Sequence, residues 1–284
     1  MSIYVKQIES EIFTSPVSLG INTLMFRAER LRQKWDSDLD WYWNDNSAFK
    51  THFLNALSIT LPACERFFID TVKPYLKSAD SNLKPELVEF IRQEGNHSYA
   101  HTHYNDWLEE GGLPVDELQK SSNKKWRWVR RHLSLKNRLA ITICVEHITV
   151  CYAAVFLSQP EILNRMHPHF RSLWQYHAVE EIEHKSVTMN LWNQIGGGNW
   201  LKRIAMLLVL PTYMWVVGST TLVFLHRDGQ LWRWRTWSDM VHFLFNGSDG
   251  VVRRSFLPWL DLLRCDFHPL DHDHQSLLLI KKIA

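Results

Sequence analysis

A chain of 284 residues, 45% hydrophobic and 22% charged, is long enough for one large folded domain and too apolar to be disordered. With 32 basic and 30 acidic side chains the net charge is +2, so no global field directs the protein toward nucleic acid. The composition stands out in 14 Trp, which suit deep cores, interfaces and membrane boundaries, and 15 His, the commonest transition-metal ligand.

The first 45 residues are mixed. Ile3, Val5 and Ile8 suit a short strand or extended arm, Ser15-Pro16 breaks it, and residues 17–43 suit a short helix ending in the aromatic cluster Trp35, Trp41, Tyr42 and Trp43. No basic region followed by an apolar run opens the chain, so no secretory signal is read there and a cytoplasmic protein is expected. Ser47 is a candidate N-cap for a helix running to about Val72, with Pro62 expected to kink it one turn before Glu65. A second helix is predicted over 84–110, with Pro85 in its first turn and Gly111-Gly112 just past its end.

Residues 113–133 read as a connection in which Lys120, Lys124, Lys125, Arg127, Arg130 and Arg131 interleave with Trp126 and Trp128. A solvated basic loop is the ordinary reading and contact with anionic lipid the alternative. A third, very apolar helix runs from about Leu135 to Leu157 with Glu146 as its one acid, and a fourth covers roughly 161–195 and stops at Gly196-Gly197-Gly198.

Residues 204–225 carry no charge, with Lys202 and Arg203 before them and His226 and Arg227 after. As a helix this run is about 33 Å long, close to a hydrocarbon core. Pro211, Gly218 and the Ser-Thr-Thr that follows soften it, and a lone span would set the C-terminal tail across the membrane from the rest. A buried fifth helix or a membrane-surface helix is therefore expected, with a span as the alternative. In the last polar stretch, Asp271 or Asp273 is expected to cap a helix at Leu277-Leu278-Leu279 rather than to build a second metal site with His272 and His274. Cys64, Cys144, Cys151 and Cys265 form no C-x-x-C pair and read as small buried thiols. The class is all-α, divided into an N-terminal arm (1–45), a helical bundle (46–198) and a C-terminal helical extension (199–284).

Each of the four long helices carries an acid on an apolar face. Glu65 lies among Leu61, Phe68 and Ile69; Glu94 and His97 form an E-x-x-H; Glu146 sits in an apolar run; Glu181 and His184 form a second E-x-x-H. An unpaired buried carboxylate is costly, so four of them require a common counter-charge, which a pair of metal cations supplies. The order Glu, E-x-x-H, Glu, E-x-x-H is the ligand scheme of ferritin-like dimetal bundles. One E-x-x-H is weak evidence, because the pair recurs by chance on helix surfaces; the ordered set on four helices is strong.

On the fourth helix His177, Glu181 and His184 fall within an arc of about 60°. His177 is thus either a third imidazole ligand or a histidine that supports one. Glu180 and Glu183 fall off that line and are expected to be solvated or bridged to Lys185, and Glu65 has Arg66 as an alternative partner. His101, one turn beyond His97, is a candidate catalytic group that supports the ligands or faces substrate. His147 points elsewhere than Glu146 and is expected to be a hydrogen-bonded core residue.

The segments Pro62-Ala-Cys-Glu65-Arg-Phe-Phe, Gln93-Glu94-Gly-Asn-His97-Ser-Tyr-Ala-His101 and Glu180-Glu181-Ile-Glu-His184-Lys-Ser-Val187, with Phe267-His268-Pro269 near the end, resemble the bacterial family labelled predicted metal-dependent hydrolase. The resemblance covers most of the chain. The ligand pattern is similar to that of ferritin-like di-iron oxygenases, and H-x-x-x-E-x-x-H at His177, Glu181 and His184 resembles the fourth helix of p-aminobenzoate N-oxygenase and related arylamine oxygenases. This implies Glu65, Glu94, His97, Glu146, His177, Glu181 and His184 as metal ligands. The implied cofactor is two iron ions, with manganese or zinc as alternatives.

The implied activity is an oxygen-activating oxidoreductase on a small organic substrate. Its partners are dioxygen and an electron donor, since no flavin or nucleotide motif is visible. The family label implies the alternative of hydrolysis by a metal-bound hydroxide, and a non-catalytic metal-binding bundle is a third reading. A homodimer and membrane association through 204–225 are compatible with either chemistry.

Overall fold

The structure, a computed structural model, describes residues 39–246 and 249–278. The expected N-terminal strand or arm and most of the first short helix lie outside the described residues. The helices are α1 (Ala48–Val72), α2 (Leu83–Glu110), α3 (Val115–His132), α4 (Leu135–Ser158), α5 (Pro160–Asn164), α6 (Pro168–His184), α7 (Val187–Gln194), α8 (Asn199–Arg227), α9 (Trp234–Leu244), α10 (Val251–Asp261) and α11 (Gln275–Leu278). The described residues contain no strand, only an isolated bridge between Asn44 and Met166, and the class is all-α.

The inner helices are α1, α2, α4 and α6. α1 packs along α2 and also meets α4, α4 packs along α6, and α2 touches α6. Their starts follow from local chemistry: the Ser47 hydroxyl accepts from the Lys50 N–H and that of Ser134 from the Asn137 N–H, each satisfying an otherwise orphaned donor. α4 is buried on nearly every side from Leu139 to Leu157, so it has no polar stripe. α8 lies against α1 and α4, α9 against α1, and α10 against α4 and α9.

Three expectations change. Residues 113–133 are not an open connection but the helix α3. The stretch lacks Gly and Pro after Pro114, with Asp116 and Glu117 in the first turn and Arg130, Arg131 and His132 in the last, where the helix dipole favours each sign. Trp126 anchors it by stacking on Phe67, centroids 4.4 Å apart. The predicted fourth helix is three helices, broken before Pro168 and again at Lys185-Ser186. The first break frees Arg165 and His167 to bond the segment before α1: the Asp45 N–H donates to the Arg165 carbonyl and the His167 N–H to the Trp43 carbonyl. Finally, Cys265 is exposed, while Cys64, Cys144 and Cys151 are buried thiols as expected.

Near the end of the chain Asp273 accepts from the Gln275 N–H at the start of α11, and Asp271 instead closes a capping box with His268. His147 is a core histidine, its Nε2 2.8 Å from the Pro258 carbonyl. The triple-glycine stop after α7 has a packing reason at Gly197, where an added Cβ would lie 2.1 Å from the ring of Trp192, itself 1% exposed. Gly197→Ala is expected to cost about 1–3 kcal/mol through this overlap. A thermal melt measures it, and an unchanged midpoint would mean that Trp192 can shift.

Candidate metal centre

α1 brings Glu65, α2 brings Glu94 and His97, α4 brings Glu146, and α6 brings His177, Glu181 and His184 into one interior region. None of the seven is more than 6% exposed. One ligand atom from each of Glu94, His97, Glu181 and His184 lies within 4.8 Å of the others, and the same holds for Glu65, His97 and His177. The two groups share His97, so they adjoin. Glu146 joins through His184, whose Nδ1 is 3.2 Å from Glu146 Oε2 while its Nε2 is 3.3 Å from Glu94 Oε1.

These atoms lack ordinary partners. Both oxygens of Glu65, Glu94 and Glu146, and both ring nitrogens of His97 and His184, are buried with no aligned hydrogen bond. Each such atom costs about 1–3 kcal/mol when left bare. The donor set is nitrogen and oxygen only. The nearby Cys64 stays a thiol, because burial and then the carboxylates of Glu65, Glu146, Glu94 and Glu181 push its pKa well up. Imidazole with carboxylate suits iron, manganese or zinc rather than a soft cation, and two adjoining groups fit two ions.

Without cations the carboxylates carry the burden as protons. Burial, reinforced by the neighbouring carboxylates, drives Glu65 and Glu94 well above the usual range and Glu146 to about 7. Burial pushes Glu181 the same way, but His177, His184 and His97 outweigh it and hold that carboxyl at about 2. His184 is opposed by burial, yet its contact with Glu146 and the charge of Glu181 raise it to about 9. His97 and His101 are lowered well below the imidazole range by burial and by His177 beside them.

A buried hydrogen-bond chain decides what His177 presents. Pro62 has no N–H, so the Ser58 carbonyl four residues earlier is free of its helical partner. The Asn105 amide fills that place, donating from Nδ2 to Ser58 O at 3.0 Å, which turns its Oδ1 into the acceptor for the Ser58 hydroxyl at 2.7 Å. Ser58 Oγ must then accept from His101 Nδ1 at 2.9 Å, leaving His101 Nε2 to accept from His177 Nδ1 at 3.0 Å. The chain therefore puts a proton on His177 Nδ1, and in the neutral ring the lone pair is on Nε2, 3.1 Å from Glu181 Oε1. Two acceptors face one another there, an arrangement that a cation or a proton between them relieves. His177 also stacks on His97, centroids 4.1 Å apart.

Glu180 corrects the sequence reading. It is 2% exposed rather than solvated, accepts from the Tyr176 hydroxyl, and has Oε2 2.9 Å from His97 Nε2. At 100° per residue it stands only about 40° from His184, so it still faces inward. A carboxylate behind an imidazole is the usual way to fix a metal-binding ring. Lys185 bonds the His272 carbonyl instead of Glu180, and Glu183 is exposed and accepts from Gln93 Nε2 at 3.1 Å. Arg66 bonds Ser98 Oγ, leaving both Glu65 oxygens unpaired.

Sequence reasoning also missed Thr149, whose hydroxyl donates to Glu181 Oε2 at 2.8 Å, together with Ser58 and Asn105. The spacing signal was present: Thr149 is one turn after Glu146, Asn105 one turn after His101, and Ser58 two turns before Glu65.

Beside the centre lies a cavity of about 30 Å³ lined by Leu57, Leu61, Phe156, Trp174, Tyr213 and the ligands His177 and Glu181, among others. That exceeds the roughly 10–15 Å³ that one water molecule needs on the same measure. His101 is not in its lining; it sits behind His177.

The protonation pattern has a measurable sign. Glu65, Glu94, Glu146 and His184 have folded pKa values above their unfolded ones, so their stabilisation is complete at low pH and lost as pH rises through the folded values. The lowered histidines, His97 and His101, act oppositely but are neutral in both states above about pH 6.5. Metal-free protein is therefore expected to lose thermal stability as pH rises from about 6.5 to 9, and metal-loaded protein to lose much less. Parallel melts across that window check it; identical slopes would contradict the assignment.

Against this geometry the comparisons give one match. No curated protein and no solved structure matches the chain. Residues 27–273, a stretch that includes all seven candidate ligands, match the family described as predicted metal-dependent hydrolase, and the chain belongs to that family.

Proposed function

We propose that this protein is an enzyme with a non-haem dimetal carboxylate centre of the ferritin-like kind, held by Glu65, Glu94, His97, Glu146, His177, Glu181 and His184. In this reading it oxidises an apolar organic substrate with dioxygen. The observation that carries the metal assignment is the cluster of buried carboxylate and imidazole atoms that lie close to one another without an aligned hydrogen bond. Bound iron would supply the capacity to reduce dioxygen.

The chain supplies the surroundings. The Asn105–Ser58–His101 chain holds His177 in one tautomer, Thr149 and Glu180 fix Glu181 and His97 from behind, and an apolar wall of Leu57, Leu61, Phe156 and Trp174 keeps bulk water from the cavity. A cavity of about 30 Å³ receives a diatomic molecule, and a larger substrate enters by displacing part of its wall. The Tyr152 and Tyr213 rings lie on that wall, their hydroxyls kept protonated by burial. Electrons would come from a separate donor. Hydrolysis is the second reading, favoured by the family description, and uses the same ligands without a reductant.

Glu94→Ala and Glu181→Ala are each expected to remove at least one of about two bound ions per chain, as read by elemental analysis of iron-loaded protein; full retention by both would refute the ligand set. His177→Ala should keep metal but change the optical spectrum that develops when the reduced iron protein meets oxygen. Zinc in the protein as purified, no oxygen-dependent absorbance, and turnover of esters without reductant would together select hydrolysis.

A further inference from the structure

We propose that the outer face built by α8, the turn after it, α9 and α10 docks on the surface of an anionic lipid bilayer, with α8 lying in the plane of the membrane. The inference goes beyond the catalytic reading and does not depend on it.

α8 has two apolar faces. Met206, Val217, Phe224 and Leu225 are buried against the bundle, where the helix packs on α1 and α4. The stripe of Trp200, Ile204, Leu207, Leu208, Trp215 and Leu222, which fall within about 100° of one another on the helix, is open to solvent. Trp215 is 75% exposed, and in the turn and at the start of α9 Trp232 and Trp234 are 87% and 84% exposed. Phe256 and Leu257 on α10, which packs beside α9, are exposed as well. So large an exposed apolar set marks an interaction surface, and Trp is the residue that suits the lipid–water boundary.

Charge identifies the partner. Between residues 199 and 261 the exposed charged side chains are Arg227, Arg233, Arg235, Arg253 and Arg254, and no described carboxylate there is exposed. The acids of that stretch face the protein. Asp228 accepts from Tyr42, Asp239 from Ser47 and Asp249 from Arg165, while Asp261 lies 2.9 Å from His272 Nε2. Basic side chains beside apolar tips match an anionic headgroup layer over acyl chains. A second copy of the chain fits poorly, because a two-fold interface would set this basic patch against itself with no exposed carboxylate in it to pair the arginines. A span fits poorly too. α8 is long and apolar enough to cross a membrane, but crossing would strip its inner face from the bundle and withdraw Tyr213 from the cavity wall. The other helix of that length and composition, α4, is a core helix that carries Glu146.

The test is sedimentation of the full-length protein with phosphatidylcholine vesicles, with and without about one third phosphatidylglycerol. Binding to the anionic vesicles alone, released by high salt, is expected. The triple variant Leu208→Ser, Trp215→Ser, Trp232→Ser should lower the bound fraction at least about tenfold while leaving helix content by circular dichroism unchanged. These positions are exposed, so the substitutions spare the core. Failure to bind, binding that the triple variant does not weaken, a soluble dimer that the same substitutions dissociate in place of vesicle binding, or resistance to alkaline carbonate extraction would each overturn the proposal.

Discussion

Burying charge without water is the constraint on which the structure turns. Carboxylates from α1, α2, α4 and α6 converge with three imidazoles in a region where no ligand residue is more than 6% exposed. These groups do not satisfy one another fully, since the oxygens of Glu65, Glu94 and Glu146 have no aligned hydrogen bond. The inner helices therefore enclose a place for positive charge, and the apolar packing around them sets how strongly that charge is held. Protons can substitute, at the cost of stability that falls as pH rises; bound cations keep the carboxylates ionised and reduce that loss.

The centre also depends on a defect in α1. A proline within a helix removes one backbone hydrogen bond, and here the loss is used. The freed Ser58 carbonyl orients Asn105, and the orientation passes through Ser58 Oγ and His101 to His177. The direction of the chain is set by which of its groups can donate and which can accept. Glu180 and Thr149 act on the other side of the site, touching His97 and Glu181.

Much of this was legible in the sequence. The ordered acids and histidines fell on helices that meet, because burial cost makes such residues rare on apolar faces unless something uses them. Less was legible about their supports. Ser58, Asn105 and Thr149 are ordinary polar residues whose significance lies in contacts between helices, and Glu180 was set aside because the inward arc was drawn too narrowly. α3 looked like a loop because its charges hide good helix formers, and the break before α6 belongs to Pro168 and to bonds with residues 43–45 that lie far away in sequence. The hydropathy of α8 had no power to separate its faces, since the exposed stripe is as apolar as the buried one.

Complete enclosure of the ligands has a kinetic side. No ligand residue is more than 6% exposed, and the cavity beside them is small. A hydrated metal ion cannot exchange its water for these ligands one at a time from outside. Loading must precede final packing or await a local opening that parts the inner helices. Once closed around its ions, the centre releases them only at the rate of that opening. Occupancy in a cell is then decided by which metal is present while the chain folds, more than by relative affinity afterwards.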